Sequence, residues 1–361
     1  MQKINCMKLN KDISPNSYTH FFEFVAGRKE TNLFNDITIQ ERFGSERILI
    51  IGAAGSIGSA LANRLNSAKI KNLFFLDRDE SSLHELSLLL TNKSAAHSEK
   101  FLIADVRDRY SIKNAIEIVQ PTIVIHAAAL KHLVMLEKFP REGFLTNVLG
   151  TLNVAELCVE LGVNQFINVS TDKAANSMSI LGDTKKLAEL LTEEVFINSD
   201  NKQCSVRFGN VFASRGSVIE TFIHQIQNGM PVTITDNNVT RFFMSQNEAA
   251  NLVLAAGSLK EAGTYIQNMG SEVRIVDVVS RIASYLKLPY STNVIGLQGG
   301  EKLQEELFDG PVESTKYSTI SKSVHSVRKG LVEIIRNNIP ENDVQARNIL
   351  NLLVEKYIKS K

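Results

Sequence analysis

The chain has few cysteines, no long apolar runs and almost no net charge, and each absence excludes a class of protein. Three cysteines in 361 residues are too few and too scattered for a disulfide framework or a metal site, and they fit a reducing cytoplasm. A net charge of +1 gives no indication of nucleic acid or an anionic membrane as partner. The longest apolar runs, such as ILIIGAAG, are shorter than a membrane span, and residues 1–16 lack the apolar region of a signal peptide. We therefore expect a cytoplasmic protein without a membrane span.

Short apolar runs alternate with amphipathic, helix-length segments from residue 47 onward. The composition, 43% hydrophobic and 22% charged, is that of a globular protein with a substantial core. The runs expected to form strands are residues 47–51, 72–76, 100–103, 122–125, 165–169 and 203–208. The segments between them, such as 56–65, 81–90 and 146–161, have helical periodicity. This alternation predicts an α/β fold with a Rossmann-type, doubly wound parallel sheet.

The pattern becomes irregular after residue 210 and suggests a division into domains. Residues 46–210 would form the dinucleotide-binding domain, to which residues 237–268 return. A smaller, irregular α/β substrate-binding domain would comprise residues 211–236 and 269–361, with a helix at its end. Residues 1–45 are interpreted as an N-terminal extension that packs on the main body or on a neighbouring subunit.

A glycine-rich turn, GAAGSIG, follows the first predicted strand and opens a helix. Glycines allow a tight turn and bring backbone N–H groups close to a pyrophosphate at the positive end of the helix. Such a turn alone is a weak signal, but this one has the required strand before it and an acidic residue at the end of the next strand. The residues expected to contact the cofactor here are Gly52, Gly55, Ser56, Ile57 and Gly58.

The residues after the second and third strands bear on the choice of cofactor. Asp77 would accept hydrogen bonds from the adenosine ribose and favours NAD, whereas Arg78 could bind a 2′-phosphate and favours NADP. Asp105 and Val106 are expected under the adenine, although a turn-forming aspartate is the alternative. The sequence leaves NAD and NADP open.

Small residues after the fourth strand would let a cofactor lie against the backbone. They are Ala127 and Ala128, preceded by His126, which we interpret as a core histidine. Asn147, on the following helix, could hold a water or a backbone carbonyl near the site.

The segment STDKAANSMSILGDTKK, residues 170–186, resembles a catalytic segment in which one residue is exchanged. Nucleotide-dependent oxidoreductases with a similar segment usually carry Tyr-x-x-x-Lys on a helix. Here Lys185 is present, but Leu181 stands where the tyrosine would be. Thr171, Asp172 and Lys173 are predicted at the C-terminal end of the fifth strand, where open α/β sheets bind ligands.

Several motifs occur together in one order, and together they resemble a known family. They are GAAGSIG, HAAALKH, TNVLGT, STDKA, VRFGNVFASRGSVI, TRFFM and GEKLQEEL. The chain, from about residue 47 to 307, looks like the extended short-chain dehydrogenase/reductase superfamily. More narrowly, it is similar to the UDP-N-acetylglucosamine 4,6-dehydratase group, the CapD-like polysaccharide biosynthesis proteins. Larger members carry membrane-spanning N-terminal regions, and this chain resembles the soluble form.

The resemblance implies a lyase with NADP or NAD tightly bound, acting on a UDP-sugar for surface polysaccharide or glycan synthesis, in a homo-oligomer. The C4 hydroxyl is oxidised, water leaves from C5 and C6, and the hydride returns to C6. Asp172 would donate a proton to the leaving hydroxyl, and Lys173 would have to be neutral to accept the C5 proton. Lys185 should contact the nicotinamide ribose.

The leucine at position 181 leaves the C4 base open. Asp172, Lys185 and a water held by Thr171 are candidates, of which we favour Asp172. Asp183 is expected on the solvent side. The alternatives to a dehydratase are a catalytically silent nucleotide-sugar-binding protein and a UDP-sugar C4 epimerase.

The later motifs are interpreted as substrate contacts. Arginine and polar residues suit a diphosphate and uracil, because a guanidinium fork matches phosphate oxygens. Each of these residues alone could be a surface charge, but together, in the order of the family, they favour binding. The candidates are Lys131, Asn147, Arg207, Asn210, Arg215, Ser217, Arg241 and Glu301.

Overall fold

A nine-stranded, mostly parallel sheet organises the chain in a computed structural model, which describes residues 15–95, 98–323 and 328–359. The strands are β1 (Ile48–Ile51), β2 (Leu73–Asp77), β3 (Phe101–Ile103), β4 (Ile123–His126), β5 (Gln165–Thr171), β6 (Lys202–Phe208), β7 (Asn210–Val211), β8 (Val232–Ile234), β9 (Thr240–Arg241), β10 (Phe243–Met244), β11 (Thr264–Gln267), β12 (Val273–Arg274), β13 (Thr292–Val294), β14 (Val312–Ser314) and β15 (Ile320–Ser323). Nine of these strands form the main sheet, in the order β14-β15-β11-β6-β5-β4-β1-β2-β3, and the other six form three two-stranded sheets. The predicted Rossmann-type fold is confirmed.

Helices cover both faces of this sheet. They are α1 (Pro15–Ala26), α2 (Asp36–Phe43), α3 (Ser56–Ser67), α4 (Glu80–Thr91), α5 (Arg109–Val119), α6 (Leu133–Lys138), α7 (Pro140–Gly143), α8 (Gly150–Glu160), α9 (Ile180–Phe196), α10 (Val218–Gln227), α11 (Gln246–Leu259), α12 (Ile275–Leu286), α13 (Leu331–Asn337) and α14 (Asp343–Leu353). A π-helical turn, Phe144–Leu149, precedes α8, and another, Val354–Lys359, follows α14. Within the described residues, no helix combines the length and the apolar character that crossing a bilayer requires.

The run of apolar residues in β1 reflects burial on both faces. Ile48 and Ile50 pack in one core with α3, α4 and α11, whereas Leu49 and Ile51 pack in the other with α5 and α8. A strand covered by helices on both sides has no solvent face, so it needs no polar alternation. The sheet order reverses between β1 and β4, and the crevice that this reversal opens is where such folds bind nucleotides.

Helix α9 is buried along almost its whole length. It packs against α8 on one side and against α13 and α14 on the other. The side chain of Ser179 caps its first turn by accepting from the N–H of Gly182. Glu137 accepts from the N–H of Ile180, so two side chains fix the start of the helix. This rigid mounting holds Lys185 against the sheet.

A second, smaller core lies beside the sheet. It joins α1, α10, α12 and β8. Phe21 and Phe22, from the N-terminal extension, contact Phe212 with ring centroids 5.3 and 5.5 Å apart. Helix α2 instead contributes Ile39 and Phe43 to the core of the main sheet. The described part of the extension thus packs on the main body at two places.

The assignment of residues 269–361 to the substrate-binding domain needs correction. Strands β14 and β15 extend the main sheet, because β15 pairs antiparallel with β11. Leu331 and Ile335 of α13, and Leu350 and Leu353 of α14, are buried in the core around α9. An amphipathic pattern shows that a helix packs but not against what, so the sequence could not separate these segments from α12.

Candidate active site

The glycine turn forms the floor of a cleft at the switch point of the sheet. Gly52 has a φ of +78°, and a Cβ there would lie 2.5 Å from the backbone nitrogen of Ala128. A Cβ on Gly58 would lie 2.2 Å from the carbonyl oxygen of Gly52. Only glycine therefore allows this close approach of the turn, the helix and the end of β4. Space of this shape at the N-terminus of α3 suits a pyrophosphate.

The cleft brings together most of the residues predicted to bind a cofactor. Its lining includes Gly52, Gly55, Asp77, Arg78, Asp105, Val106, Ala127 and Ala128. The Asp77 carboxylate accepts from the N–H of Ala54 at 2.9 Å, which fixes it at the mouth of the turn. Arg78 lies 3.6 Å from Asp105, whereas Arg107 bonds to the same carboxylate at 2.6 Å. Asp105 is thus held by two arginines.

Arg215 lies beside the residues predicted to bind the cofactor, whereas the sequence placed it among the substrate contacts. It lines the same cleft, and its guanidinium donates to Ser82 at 3.0 Å. Its backbone N–H donates to the hydroxyl of Ser56 at 3.0 Å. The loop after β7 therefore folds back onto the start of α3, a contact that sequence position did not reveal.

The segment predicted to be catalytic forms a short 3₁₀ turn, Asp172–Ala174, at the end of β5; we refer to it as the catalytic turn. The Asp172 side chain is fully buried. One of its oxygens, Oδ1, accepts from the Thr171 hydroxyl at 2.9 Å and from Lys173 Nζ at 3.0 Å. Its other oxygen, Oδ2, has no partner. Lys173 Nζ also donates to Asn210 Oδ1 at 3.2 Å. The structure thus brings together four residues that the sequence predicted at the site.

Lys173 is charged in this arrangement, contrary to the expectation of a neutral amine. Burial lowers the pKa of Lys173, but the carboxylates of Asp172 and Glu305 outweigh it and hold that pKa above its usual value. Glu305 Oε1 lies 3.6 Å from Lys173 Nζ. A base at C5 would first have to lose this proton.

Lys185 is buried one turn along α9 from Leu181. Its ammonium donates to the carbonyl oxygen of Val169 at 2.6 Å, and burial lowers the pKa of Lys185 to about 8. Leu181 is 5% exposed and belongs to the hydrophobic core around α9. Asp183 is partly buried rather than solvent-facing: it accepts from Ser177, and burial raises the pKa of Asp183 to about 6.

Arg207 is a buried structural residue rather than a free substrate contact. Its guanidinium makes two bonds to Glu189, at 2.8 and 2.7 Å, and another to Asp309 at 2.9 Å. Lys186 pairs with Asp309 at 2.6 Å. Two cations and two carboxylates therefore balance beneath the catalytic turn. This bidentate geometry leaves the Arg207 fork without room for a phosphate.

Arg241 and Glu301, predicted as separate contacts, are partners of each other. Arg241 Nη2 lies 3.1 Å from Glu301 Oε1, and Nη1 donates to the carbonyls of Thr240 and Leu303. Arg241 is 5% exposed, and its guanidinium is already bonded to three groups. It therefore fixes the loop that carries Glu301 and Leu303.

The remaining predicted substrate residues have identifiable local roles. Asn147 is buried and bonds to both the N–H and the carbonyl of Leu130, so it fixes the loop after β4. Lys131, on that loop, donates to Ser214 at 3.3 Å. Ser217 stands at the N-cap position of α10, and its hydroxyl is buried without a partner.

The sequence interpretation missed Glu305, Asp309 and Glu189. Glu305 lies inside the GEKLQEEL motif, so the motif could have pointed to it, but only its first two charged residues were considered. Glu189 lies one turn after Lys185 on α9 and faces β5. A charged residue within a buried helix indicates a partner, and this signal could have pointed to it. Nothing local marks Asp309.

The sheet order, the glycine turn at its switch point and the Lys185-bearing helix define an extended short-chain dehydrogenase/reductase. A family model described as "Polysaccharide biosynthesis protein" matches residues 48–355, and the chain belongs to this family. Both conclusions confirm the resemblance seen in the sequence.

Two relatives and two solved structures illustrate the likeness. The "Probable polysaccharide biosynthesis protein EpsC" of Bacillus subtilis (strain 168) is 35% identical over 90% of this chain, which spans 56% of the length of EpsC. A "UDP-glucose 4-epimerase" of Rickettsia canadensis (strain McKiel) is 34% identical over 73% of this chain and 78% of its own length. The structure of Pen from Bacillus thuringiensis has a TM-score of 0.69 and 28% identity over 87% of this chain and 98% of Pen. That of DesIV, a dTDP-glucose 4,6-dehydratase from Streptomyces venezuelae with NAD and TYD bound, shares the fold, with a TM-score of 0.63 and 18% identity over 72% of this chain and 88% of DesIV.

Proposed function

We propose that this protein is a 4,6-dehydratase of a UDP-sugar, acting on UDP-N-acetylglucosamine or a close relative, for surface polysaccharide or glycan synthesis. The observation that carries the proposal is the Asp172–Lys173 ion pair at the end of β5, in which the carboxylate is fully buried and the lysine side chain is 20% exposed. It lies on a chain with no tyrosine in the usual place on α9. The name of EpsC supports the role in polysaccharide synthesis.

The reaction needs a base at C4, a base at C5 and an acid at C6, and the catalytic turn can supply all three. Asp172 has one bonded and one unpartnered oxygen. It can accept the proton of the C4 hydroxyl and give it to the hydroxyl that leaves C6. Lys173, as an amine, accepts the C5 proton and later returns it. Lys185 stabilises and orients the ribose side of the cofactor.

We favour NAD over NADP as the cofactor. When bound, the dinucleotide accepts a hydride from the sugar and gives it back. The cradle around Gly52 and Gly58 has no room for a Cβ and suits a pyrophosphate. The Asp77 carboxylate would bond a ribose hydroxyl and repel a 2′-phosphate, and Arg78 is engaged with Asp105.

The cofactor is expected to co-purify, because a cycle that restores it never requires its release. Denatured protein should release NAD into the supernatant, measured by enzymatic cycling. A supernatant without dinucleotide, even after soaking with NAD and NADP, would contradict the proposal.

A C4 epimerase is the second candidate, favoured by the name of the Rickettsia canadensis relative. Epimerisation needs one base at C4 and no acid for a leaving hydroxyl. The paired Asp172 and Lys173 therefore fit elimination better.

One assay separates these candidates from a silent binding protein. Purified protein is incubated with UDP-N-acetylglucosamine and then treated with alkali, in which a 4-keto-6-deoxy sugar develops an absorbance that the substrate and its C4 epimer lack. We expect this absorbance to grow with time. An epimer without it would indicate the second candidate, and unchanged substrate with bound NAD would indicate a binding protein.

A further inference from the structure

A segment without regular secondary structure, residues 300–309, crosses the ends of β5 and β6; we refer to it as the strap. Its Lys302 donates to the carbonyl of Ala175 at 3.0 Å, directly after the catalytic turn. At its far end, Asp309 is held by Arg207 and Lys186. Both ends of the strap are therefore fixed to the catalytic half of the sheet.

Glu305, in the middle of the strap, is 5% exposed and faces Lys173. Its Oε1 lies 3.6 Å from Lys173 Nζ and 3.9 Å from Arg241 Nε. Its Oε2 is buried without a hydrogen-bond partner, as is Oδ2 of Asp172 on the other side of the same ammonium. One lysine therefore lies between two buried carboxylates, each with a vacant oxygen.

The charges around Lys173 do not cancel. The groups that face it are the carboxylates of Asp172 and Glu305, and Arg241, which is itself paired with Glu301 at 3.1 Å. Three carboxylates and two cations leave one excess negative charge. A proton transfer inside the group leaves this excess unchanged but removes one positive and one negative charge. Excluding water favours that neutral form of the Lys173–Glu305 pair, because buried charges are costly.

We propose that Glu305 is the proton partner of Lys173: it takes the ammonium proton when substrate fills the cleft, leaving an amine that can accept the C5 proton. An N–H bond of Lys173 breaks, an O–H bond forms on Glu305, and an ion pair becomes two neutral groups. Asp172 stays free to carry the C4 hydroxyl proton to the leaving hydroxyl. When the C5 proton has returned to the sugar, Glu305 gives its proton back to Lys173.

This inference rests on the proposed dehydratase and makes Glu305 a positioning residue that acts through Lys173. The test compares Glu305→Gln with Glu306→Gln, its exposed neighbour on the strap. The readout is the incorporation of solvent deuterium at C5 of the 4-keto product, followed across pH. In Glu305→Gln, the rate of deuterium incorporation at C5 should fall by about 10-fold or more near neutral pH, which is the scale of a lost proton-transfer partner.

The pH profile separates a proton partner from a structural support. Without Glu305, Lys173 must release its proton to solvent, so exchange should rise by about tenfold per pH unit towards the pKa of the amine, which the loss of the Glu305 carboxylate lowers. The parent, Glu306→Gln and, in part, Glu305→Asp should show a flatter profile. If the exchange rate of Glu305→Gln is reduced by the same factor at every pH, or if its profile is identical to that of the parent, the inference is overturned.

A second readout does not depend on turnover. Infrared spectra of the protein with NAD and UDP should contain the C=O stretch of a protonated carboxyl, which Glu305→Gln removes and Glu306→Gln retains. If the parent makes no 4-keto sugar, the proposed function has failed, and this band alone decides the inference: its loss in Glu305→Gln supports a proton on Glu305, and its absence from the parent overturns it.

Discussion

The cofactor end of the candidate site, around the glycine turn, and its catalytic end, around Asp172 and Lys173, are built from different interactions. At the cofactor end, backbone and small residues meet, as where Gly52 approaches Ala128. At the catalytic end, buried charged side chains pair with one another, and one such pair, Arg207 and Asp309, is 102 positions apart in sequence. The first end depends on local turn geometry and the second on pairing between distant segments. Substitutions at the first should therefore change affinity for the cofactor, and substitutions at the second should change chemistry or stability.

The largest effect is expected at the catalytic turn. Asp172→Asn and Lys173→Met should each reduce turnover by about 10²-fold or more, the scale for loss of a positioned acid or base. The alkali absorbance of the 4-keto product measures the rate. Calorimetry with UDP should show little change in affinity, and Lys71→Met, at an exposed lysine, serves as control. Parent rates in both variants would remove the roles assigned to this pair.

Arg207 tests whether the catalytic end depends on buried pairing. Arg207→Met leaves Lys186 to face the carboxylates of both Glu189 and Asp309, so one buried negative charge is uncompensated. The free energy of unfolding should therefore fall by about 3–5 kcal/mol. Arg274→Ala, which removes a surface pair with Asp277, should cost about 1 kcal/mol or less. Denaturant titration measures both. If Arg207→Met instead weakens UDP binding at unchanged stability, Arg207 is a substrate contact after all.

Asp77 and Arg78 test the cofactor end and the choice between NAD and NADP. Asp77→Ala should weaken NAD binding by about 10- to 100-fold, since hydrogen bonds to a charged group contribute about 1.5–3 kcal/mol. Arg78→Ala should change NAD affinity little. Fluorescence titration of protein freed of dinucleotide gives both values. A larger loss of NADP affinity in Arg78→Ala than of NAD affinity in Asp77→Ala would point to NADP.

Leu181 tests whether the catalytic end is complete without a tyrosine. Leu181→Tyr places a larger, polar side chain in a packed core, so the free energy of unfolding should fall by about 1–3 kcal/mol, whereas Leu181→Met should cost less than about 1.5 kcal/mol. Turnover of the folded protein should change only modestly. If the parent does not oxidise C4 of any UDP-sugar while Leu181→Tyr does, the parent is a silent binding protein.

The sequence predicted the sheet, and it indicated which residues would meet around the glycine turn, because both signals are local. A strand, a glycine turn, a helix and then Asp77 lie within one β-α-β unit, and the structure brings them together. It could not show that Glu189 and Asp309 flank Arg207, since a lone arginine has the same appearance whether it binds a ligand or a carboxylate. The position of Glu305 depends on the strap, which has neither helical nor strand periodicity.

The most direct measurement of the proposed reaction follows the hydrogen on C4. UDP-N-acetylglucosamine carrying deuterium at C4 is incubated with the protein, and the product is examined by NMR. A 4,6-dehydratase moves this hydrogen within the sugar, so we predict a 4-keto-6-deoxy sugar with the deuterium in the C6 methyl group. Deuterium still on C4, in unchanged substrate or in its C4 epimer, would contradict it.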